Sequence, residues 1–127
     1  MVKILVVDDE RDVEALFTQR FRKEIKNKAV DIQFAFSGED ALHYLQTLDP
    51  FDVVLVLSDI NMPGMTGLEL LRLIKKEFNT LQVIMVTAYG DDNNYANAIN
   101  YGADDFVSKP VDFTLLKEKI SFLTDKR

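Results

Sequence analysis

The sequence predicts an α/β domain: a doubly wound, mostly parallel sheet of five strands with five helices on its two faces. Two observations carry this. Five short apolar runs alternate with segments of helical period, and repeated strand–helix units build parallel sheets covered on both sides. The run Val53-Val54-Leu55-Val56-Leu57 is apolar without alternation, as a strand buried on both faces requires. At 127 residues the chain suits one domain with one core, so 1–127 is read as a single unit.

The first strand is read at 3–8. The helix after it places Val13, Leu16, Phe17, Phe21 and Ile25 on one face. The second strand, at 31–36, leads into Ser37-Gly38-Glu39-Asp40, with Ala41, Leu42, Leu45 and Leu48 on one helical face. The third, at 52–59, is followed by Thr66-Gly67-Leu68-Glu69, a capping box, with Leu68, Leu71, Ile74 and Phe78 behind it. The fourth, at 81–87, precedes DDNNYANAINYG. Its four Asn make this the least stable helix expected, since Asn competes for backbone hydrogen bonds. The fifth strand, at 105–108, leads to Asp112 as an N-cap. Val111 and Leu116 stand at the staple positions, and Ile120 and Leu123 continue the apolar face.

Phe17, Phe21, Phe78 and Phe122 are read as core. His43, the only histidine, is read as a surface helix residue, and Lys75-Lys76 as a solvated face. Tyr101 is a candidate partner-surface residue.

Composition excludes several function classes. The net charge of −6, from 21 acids and 15 bases, argues against direct binding to nucleic acid or to an anionic membrane. Without cysteine there is no disulfide framework, thiolate metal site or Cys nucleophile, which fits a reducing cytoplasm. The apolar run at 4–7 is too short for a signal-peptide core, and no stretch approaches the ~20 apolar residues of a membrane span.

Strand ends carry the chemistry. In open α/β sheets, ligands bind beyond the carboxyl ends of the strands. The first strand ends on Asp8-Asp9-Glu10, the third on Asp59, the fourth on Thr87 and the fifth on Ser108-Lys109-Pro110. Each residue alone has a plain reading as a helix cap or loop residue; their placement at one edge does not. Two unit charges 4 Å apart repel by about 1 kcal/mol in water and about 4 kcal/mol at an effective dielectric of 20. Clustered carboxylates therefore call for a cation. An all-oxygen set without a local run of Ca²⁺ ligands suits Mg²⁺ with a phosphate. Lys109 and Thr87 suit phosphate oxygens. A carboxylate can be the nucleophile toward phosphorus. Residue chemistry alone does not choose among Asp8, Asp9 and Asp59 for that part.

The ordered set VVDDE, SDINMPGMTG, VTA and FVSKP resembles the receiver domain of two-component response regulators, over roughly residues 2 to 124. The resemblance implies the flavodoxin-like strand order 2-1-3-4-5. It implies Asp59 as phosphoacceptor, Asp9 and Asp59 as direct Mg²⁺ ligands, the backbone carbonyl of Asn61 as a third, and Asp8 acting through water. Thr87 and Lys109 match the groups that bind phosphoryl oxygens. Phe106 matches the aromatic switch, and Asn61 and Tyr89 the positions that tune phosphate lifetime. A cis Lys109–Pro110 bond is implied as well. The pattern departs at Asp52, which lies further ahead of Asp59 than the acidic residue many receivers carry there.

The function implied is a cytoplasmic, phosphorylation-controlled switch that takes a phosphoryl group from a histidine kinase or phosphotransfer protein. It then changes its binding face toward a downstream protein or fused output domain, as a monomer or weak homodimer. It is not an enzyme beyond its own aspartyl phosphorylation and dephosphorylation. Three rivals are weaker, one of them a degenerate receiver that works without phosphorylation, which the filled set of matched positions disfavours. Asp59-Ile60-Asn61 is similar to the Asp-x-Asp element of aspartate-nucleophile phosphohydrolases, but Asn stands where their general acid does. A flavodoxin-like carrier would need a phosphate loop where Asp8-Asp9-Glu10 would repel one.

Overall fold

In a computed structural model, residues 2–49, 54–78, 80–88 and 90–125 are described. Among them the order is β1 (Val2–Val7), α1 (Asp12–Arg20), α2 (Arg22–Lys26), β2 (Val30–Ala35), α3 (Gly38–Gln46), β3 (Val54–Asp59), α4 (Gly67–Glu77), β4 (Gln82–Thr87), α5 (Asp92–Asn100), β5 (Asp105–Ser108) and α6 (Phe113–Asp125). The strands form one parallel sheet in the order β2-β1-β3-β4-β5, the order that the resemblance implies.

Side chains alternate across each strand, so the sheet feeds two cores. Ile4, Val6, Leu55, Leu57, Ile84 and Val86 pack against Phe17 and Phe21 and against Leu116, Ile120 and Leu123 of α6. On the other face, Leu5, Val7, Val56, Val83 and Met85 meet α3, α4 and α5. Leu70, Leu71 and Ile74 of α4 are fully buried, each contributing about 1.5–3 kcal/mol.

The predicted caps of α4 and α6 form, and α3 and α5 are capped as well. Ser37 Oγ accepts from Asp40 N at 3.1 Å, and Asp112 Oδ1 from Leu115 N at 3.1 Å. Thr66 and Glu69 close the capping box of α4. Asp91 caps α5 through Asn94 N at 3.2 Å. The N-cap of α1 is Arg11, without a side-chain bond, so Asp9 does not cap it. Asp59 caps no helix either, because Thr66 holds that place in α4.

Several expectations need correction. The described residues hold six helices, not five, because the first helical segment breaks at Phe21 (φ −103°, ψ 15°). Lys117 Nζ donates to the Arg20 carbonyl at 2.8 Å there, while Phe21 is drawn inward between Phe17 and Phe113. Phe17 and Phe21 occupy the inward stripe, which leaves Leu16 and Ile25 on its exposed flanks. Phe122 is 59% exposed and is not core. Lys75 is not merely solvated: its Nζ donates to Asp104 Oδ2 at 2.7 Å and Leu81 O at 3.0 Å. Asp104 Oδ2 also accepts from Val83 N at 2.7 Å, tying α4 to the start of β4. β1 and β2 begin and end one residue before their expected limits, and β4 begins at Gln82. The expected start of the third strand at Asp52 lies outside the described residues.

Candidate functional site

The strand order reverses between β1 and β3, and the crevice beyond their carboxyl ends is the binding place of such sheets. Register levels the key residues there. Val7 pairs with Ser58, so Asp8 stands level with Asp59. Asp59 pairs with Val86, one residue before Thr87, and Thr87 pairs with Ser108, one before Lys109. Asp8, Asp9, Asp59, Thr87 and Lys109 are thus gathered by four parallel strands that share one direction.

Side-chain oxygens of Asp8, Asp9 and Asp59 all lie within 4.8 Å of one another. Asp8 and Asp59 are buried and Asp9 is exposed, so the group opens to solvent on one side. Lys109 Nζ donates to Asp59 Oδ2 at 2.8 Å. The bond Lys109–Pro110 is cis, and Lys109 N donates to Thr87 O at 2.8 Å. Burial raises the Asp8 pKa. The Glu10 N–H, donated to Asp8 Oδ1 at 2.9 Å, offsets part of this, and the charge of Asp59 adds to the rise. For Lys109, burial favours the neutral amine. The Asp59 hydrogen bond and the charges of Asp59, Asp8 and Glu10 outweigh it and raise the pKa. A cavity of about 720 Å³ reaches Asp59, Asp8 and Lys109 and continues between α1 and the loop before α6, past Leu16, Phe17 and Phe113.

Thr87 is buried and lies two residues past Met85, on the same sheet face by alternation. Phe106 pairs with Met85 and packs into the core on that face. Its ring meets that of Tyr95 on α5, with centroids 4.5 Å apart. Asn61 is exposed just beyond β3. Tyr89 lies outside the described residues. His43 is exposed on α3, apart from the acidic group.

The arrangement is a cluster of hard oxygen donors with one ammonium set against it. A model of the response regulator receiver domain matches residues 4–121. The chain belongs to the response regulator receiver family. Solved structures agree. It is similar to the response regulator TrrA of Thermotoga maritima, solved in complex with Mg²⁺-BeF, at 34% identity and a TM-score of 0.79, over 97% of this chain and 99% of that one. A CheY-like receiver domain protein of Methanospirillum hungatei JF-1 is 29% identical, with a TM-score of 0.85 over 99% and 95% of the two chains. The signal receiver domain of an HD domain-containing protein from Pseudomonas fluorescens Pf-5 gives 26%, 0.87, 98% and 95%.

Receiver domains are regulatory modules of phosphorylation-dependent signalling rather than turnover enzymes, and the Asp cluster of this receiver fits a phosphorylation site. Among the described residues no helix is long and apolar enough to cross a membrane. Sequence reading passed over three features of this receiver: Ser58 and Gly67 beside Asp59, and Tyr95 on Phe106. Gly67 carried a signal, since Gly is a poor choice for the first turn of a capped helix unless space forbids a side chain. Ser58 carried one as well, a hydroxyl at the end of an apolar run and next to Asp59 in the chain; the Tyr95–Phe106 contact is tertiary and left no mark in any local pattern.

Proposed function

We propose that this receiver is a switch in which Asp59 accepts a phosphoryl group from a phosphohistidine of a histidine kinase or phosphotransfer protein. The observation that carries the reading is Asp59 itself: a buried carboxylate that shares its pocket with two further acids and pairs with Lys109 at 2.8 Å. An Asp59 oxygen forms the new bond to phosphorus while the donor's P–N bond breaks. The electron pair stays on the imidazole nitrogen, and the product is an acyl phosphate. Lys109 and the Thr87 hydroxyl bind phosphoryl oxygens, and such positioning and charge neutralisation supply most of the catalysis.

The donor set fits a hard divalent cation: three carboxylates, with no sulfur or imidazole among them. Asp9, Asp59 and the Asn61 carbonyl would hold Mg²⁺ directly, with Asp8 through water. When bound, the ion offsets the negative charge that the acids and the phosphoryl group bring together. The Mg²⁺-BeF complex of the TrrA relative supports this choice of metal.

Thr87, drawn to the phosphoryl group, leaves room for Phe106 to move inward, and α5, whose Tyr95 ring lies on Phe106, follows. A downstream protein or fused output domain reads that change. The chain works in the cytoplasm as a monomer or weak homodimer, as a single receiver unit over 1–127, without direct contact to nucleic acid or membrane. Asn61 and Tyr89 match the positions that in the family tune phosphate lifetime, so Tyr89→Ala is expected to shorten the life of the phosphorylated form.

The test is incubation with acetyl phosphate and Mg²⁺, followed by mapping of the modified residue. One phosphoryl group at Asp59, labile to base and hydroxylamine, is expected. Stable modification of a Ser, a Thr or His43, or turnover of small phosphate esters, would overturn the reading.

A further inference from the structure

The proposed chemistry leaves one buried hydroxyl unused. Ser58 is 1% exposed, in a strand whose other buried side chains up to Asp59 are apolar. By alternation it faces the α3–α4 side with Val56 and Ile60, while Asp59 faces the other way. Its Oγ donates to the backbone carbonyl of Asp59 at 3.0 Å.

The same carbonyl rests against Gly67 at the start of α4. A Cβ on Gly67 would collide with the Asp59 carbonyl oxygen and stand 2.7 Å from Ile60 Cα. Gly67 N donates to Ile60 O at 2.7 Å, and Ile60 N to Val86 O at 3.3 Å. The Asp59–Ile60 peptide is therefore held by three elements: the Ser58 hydroxyl, the bare α-carbon of Gly67 and the backbone of β4. One end of that peptide is the Cα that aims the Asp59 carboxylate. The other leads directly to Asn61. A rotation of this one plane would move both.

We propose that Ser58 is a positioning residue for Asp59, fixing through the Asp59 carbonyl the direction in which the carboxylate points. Gly67 is the surface on which the peptide seats. The inference rests on the reading of Asp59 as phosphoacceptor. A backbone carbonyl is a strong acceptor whose loss of a donor in a water-poor place leaves it free to turn toward another.

The test compares Ser58→Ala, Ser58→Cys and Ser58→Thr with wild type, at a temperature where each is fully folded. Two quantities are read: the rate of Asp59 phosphorylation by acetyl phosphate, from intact mass, and the Mg²⁺ dissociation constant of the unphosphorylated protein, by calorimetry. A 1 Å misplacement costs on the order of a hundredfold in rate, so a partial loosening should cost about tenfold in Ser58→Ala and Ser58→Cys. Both variants should also bind Mg²⁺ more weakly. Ser58→Thr, which keeps the hydroxyl, should recover most of both. If the added methyl prevents Ser58→Thr from folding, the Ala and Cys pair still decides, because Cys keeps the volume and lacks a strong donor. A wild-type rate in Ser58→Ala overturns the proposal. So does a slow Ser58→Ala beside a full-rate Ser58→Cys, which would make Ser58 a matter of volume. Failure of wild type itself to gain a phosphoryl group at Asp59 would instead overturn the reading of the site, and the positioning role with it.

Discussion

Lys109 Nζ lies 2.8 Å from Asp59 Oδ2, a pair that joins residues 50 positions apart in the chain. The lysine side chain is 40% exposed and the aspartate side chain 7%, so the lysine reaches inward from the rim while the acid stays at the floor. The raised pKa keeps Lys109 charged at any pH at which the protein works. Its charge is thus available for phosphoryl oxygens as they arrive. Removing a comparable donor from a charge-stabilising site costs roughly 10²–10³ in rate. Since Thr87 and the metal share the task, Lys109→Gln should slow acetyl phosphate-driven phosphorylation of Asp59 by about 10²-fold at most. Stopped-flow or mass-based rates check this. A rate within about twofold of wild type would make the ion pair a structural contact only.

Tyr95 should carry the signal from the sheet to α5. Its ring lies on Phe106 at 4.5 Å, yet the residue is 47% exposed, so it is attached to the domain mainly through that contact. Ala98 is the buried residue of α5 among its described side chains. An aromatic pair is worth about 0.5–1.5 kcal/mol beyond its buried area, which is a large share of the anchorage of so lightly packed a helix. A displacement of Phe106 must carry Tyr95 or break the pair. Tyr95→Ala should therefore leave the rate of phosphorylation unchanged but shrink the phosphorylation-induced amide shifts across 92–101. Shifts of wild-type size in Tyr95→Ala would show that α5 is moved by another route.

Much of this was legible in the chain because each strand ends where its period ends. The Asp8, Asp59, Thr87 and Lys109 positions all follow apolar runs, and a parallel sheet brings such ends to one edge whatever the loops do. Caps were legible for the same local reason: Thr66 and Asp112 act within three residues of themselves. The break at Phe21 was not, since it depends on Lys117, 97 residues from the Arg20 carbonyl it binds. Phe122 misled because Leu123 beside it fits the inward face of α6, and one helical face cannot hold both. Lys75 misled because its partner, Asp104, is 29 residues away. The choice of Asp59 among three acids came from resemblance; burial alone would not make it, since Asp8 is buried as well.

Stability should depend on pH through Glu24 and Lys117. Lys117 Nζ stands 3.0 Å from Glu24 Oε2 and lies over the Phe21 ring at 5.1 Å. Burial raises the Glu24 pKa, but the Lys117 hydrogen bond, a backbone N–H and the lysine charge outweigh it and lower the pKa. A carboxyl with a lowered folded-state pKa adds stability above its unfolded value, near the ordinary 4.5. That contribution is lost as pH falls through the folded value. Both side chains are about one-third exposed, so the pair is worth at most about 1 kcal/mol. Glu24→Gln should lower the melting temperature at pH 7 by about 1–5 °C, and the gap from wild type should close as pH falls below the ordinary carboxyl range. Thermal melts across acid to neutral pH decide it; a gap that stays constant would mean the charge does nothing.

Mg²⁺ should stabilise the receiver, and Asp59 should be the reason. With Asp8, Asp9 and Asp59 oxygens within 4.8 Å of one another, each pair of acids repels by about 3–4 kcal/mol at an effective dielectric of 20 and by about 1 kcal/mol in water. Lys109 relieves only part of this, being paired to Asp59 alone among the three. A ligand at ten times its dissociation constant adds about 1.4 kcal/mol to the folded state. For a domain of this size that is about 4–8 °C in melting temperature. Asp59→Asn removes one of the repelling charges. Its amide oxygen still offers Lys109 an acceptor, and the lysine side chain is 40% exposed. The metal-free variant should therefore melt higher than wild type, and its response to Mg²⁺ should be weaker. Melts at constant ionic strength separate binding from screening. If Asp59→Asn melts lower without metal and keeps the full Mg²⁺ shift, the Lys109 pair outweighs the repulsion. Asp59 would then serve the fold rather than the ion.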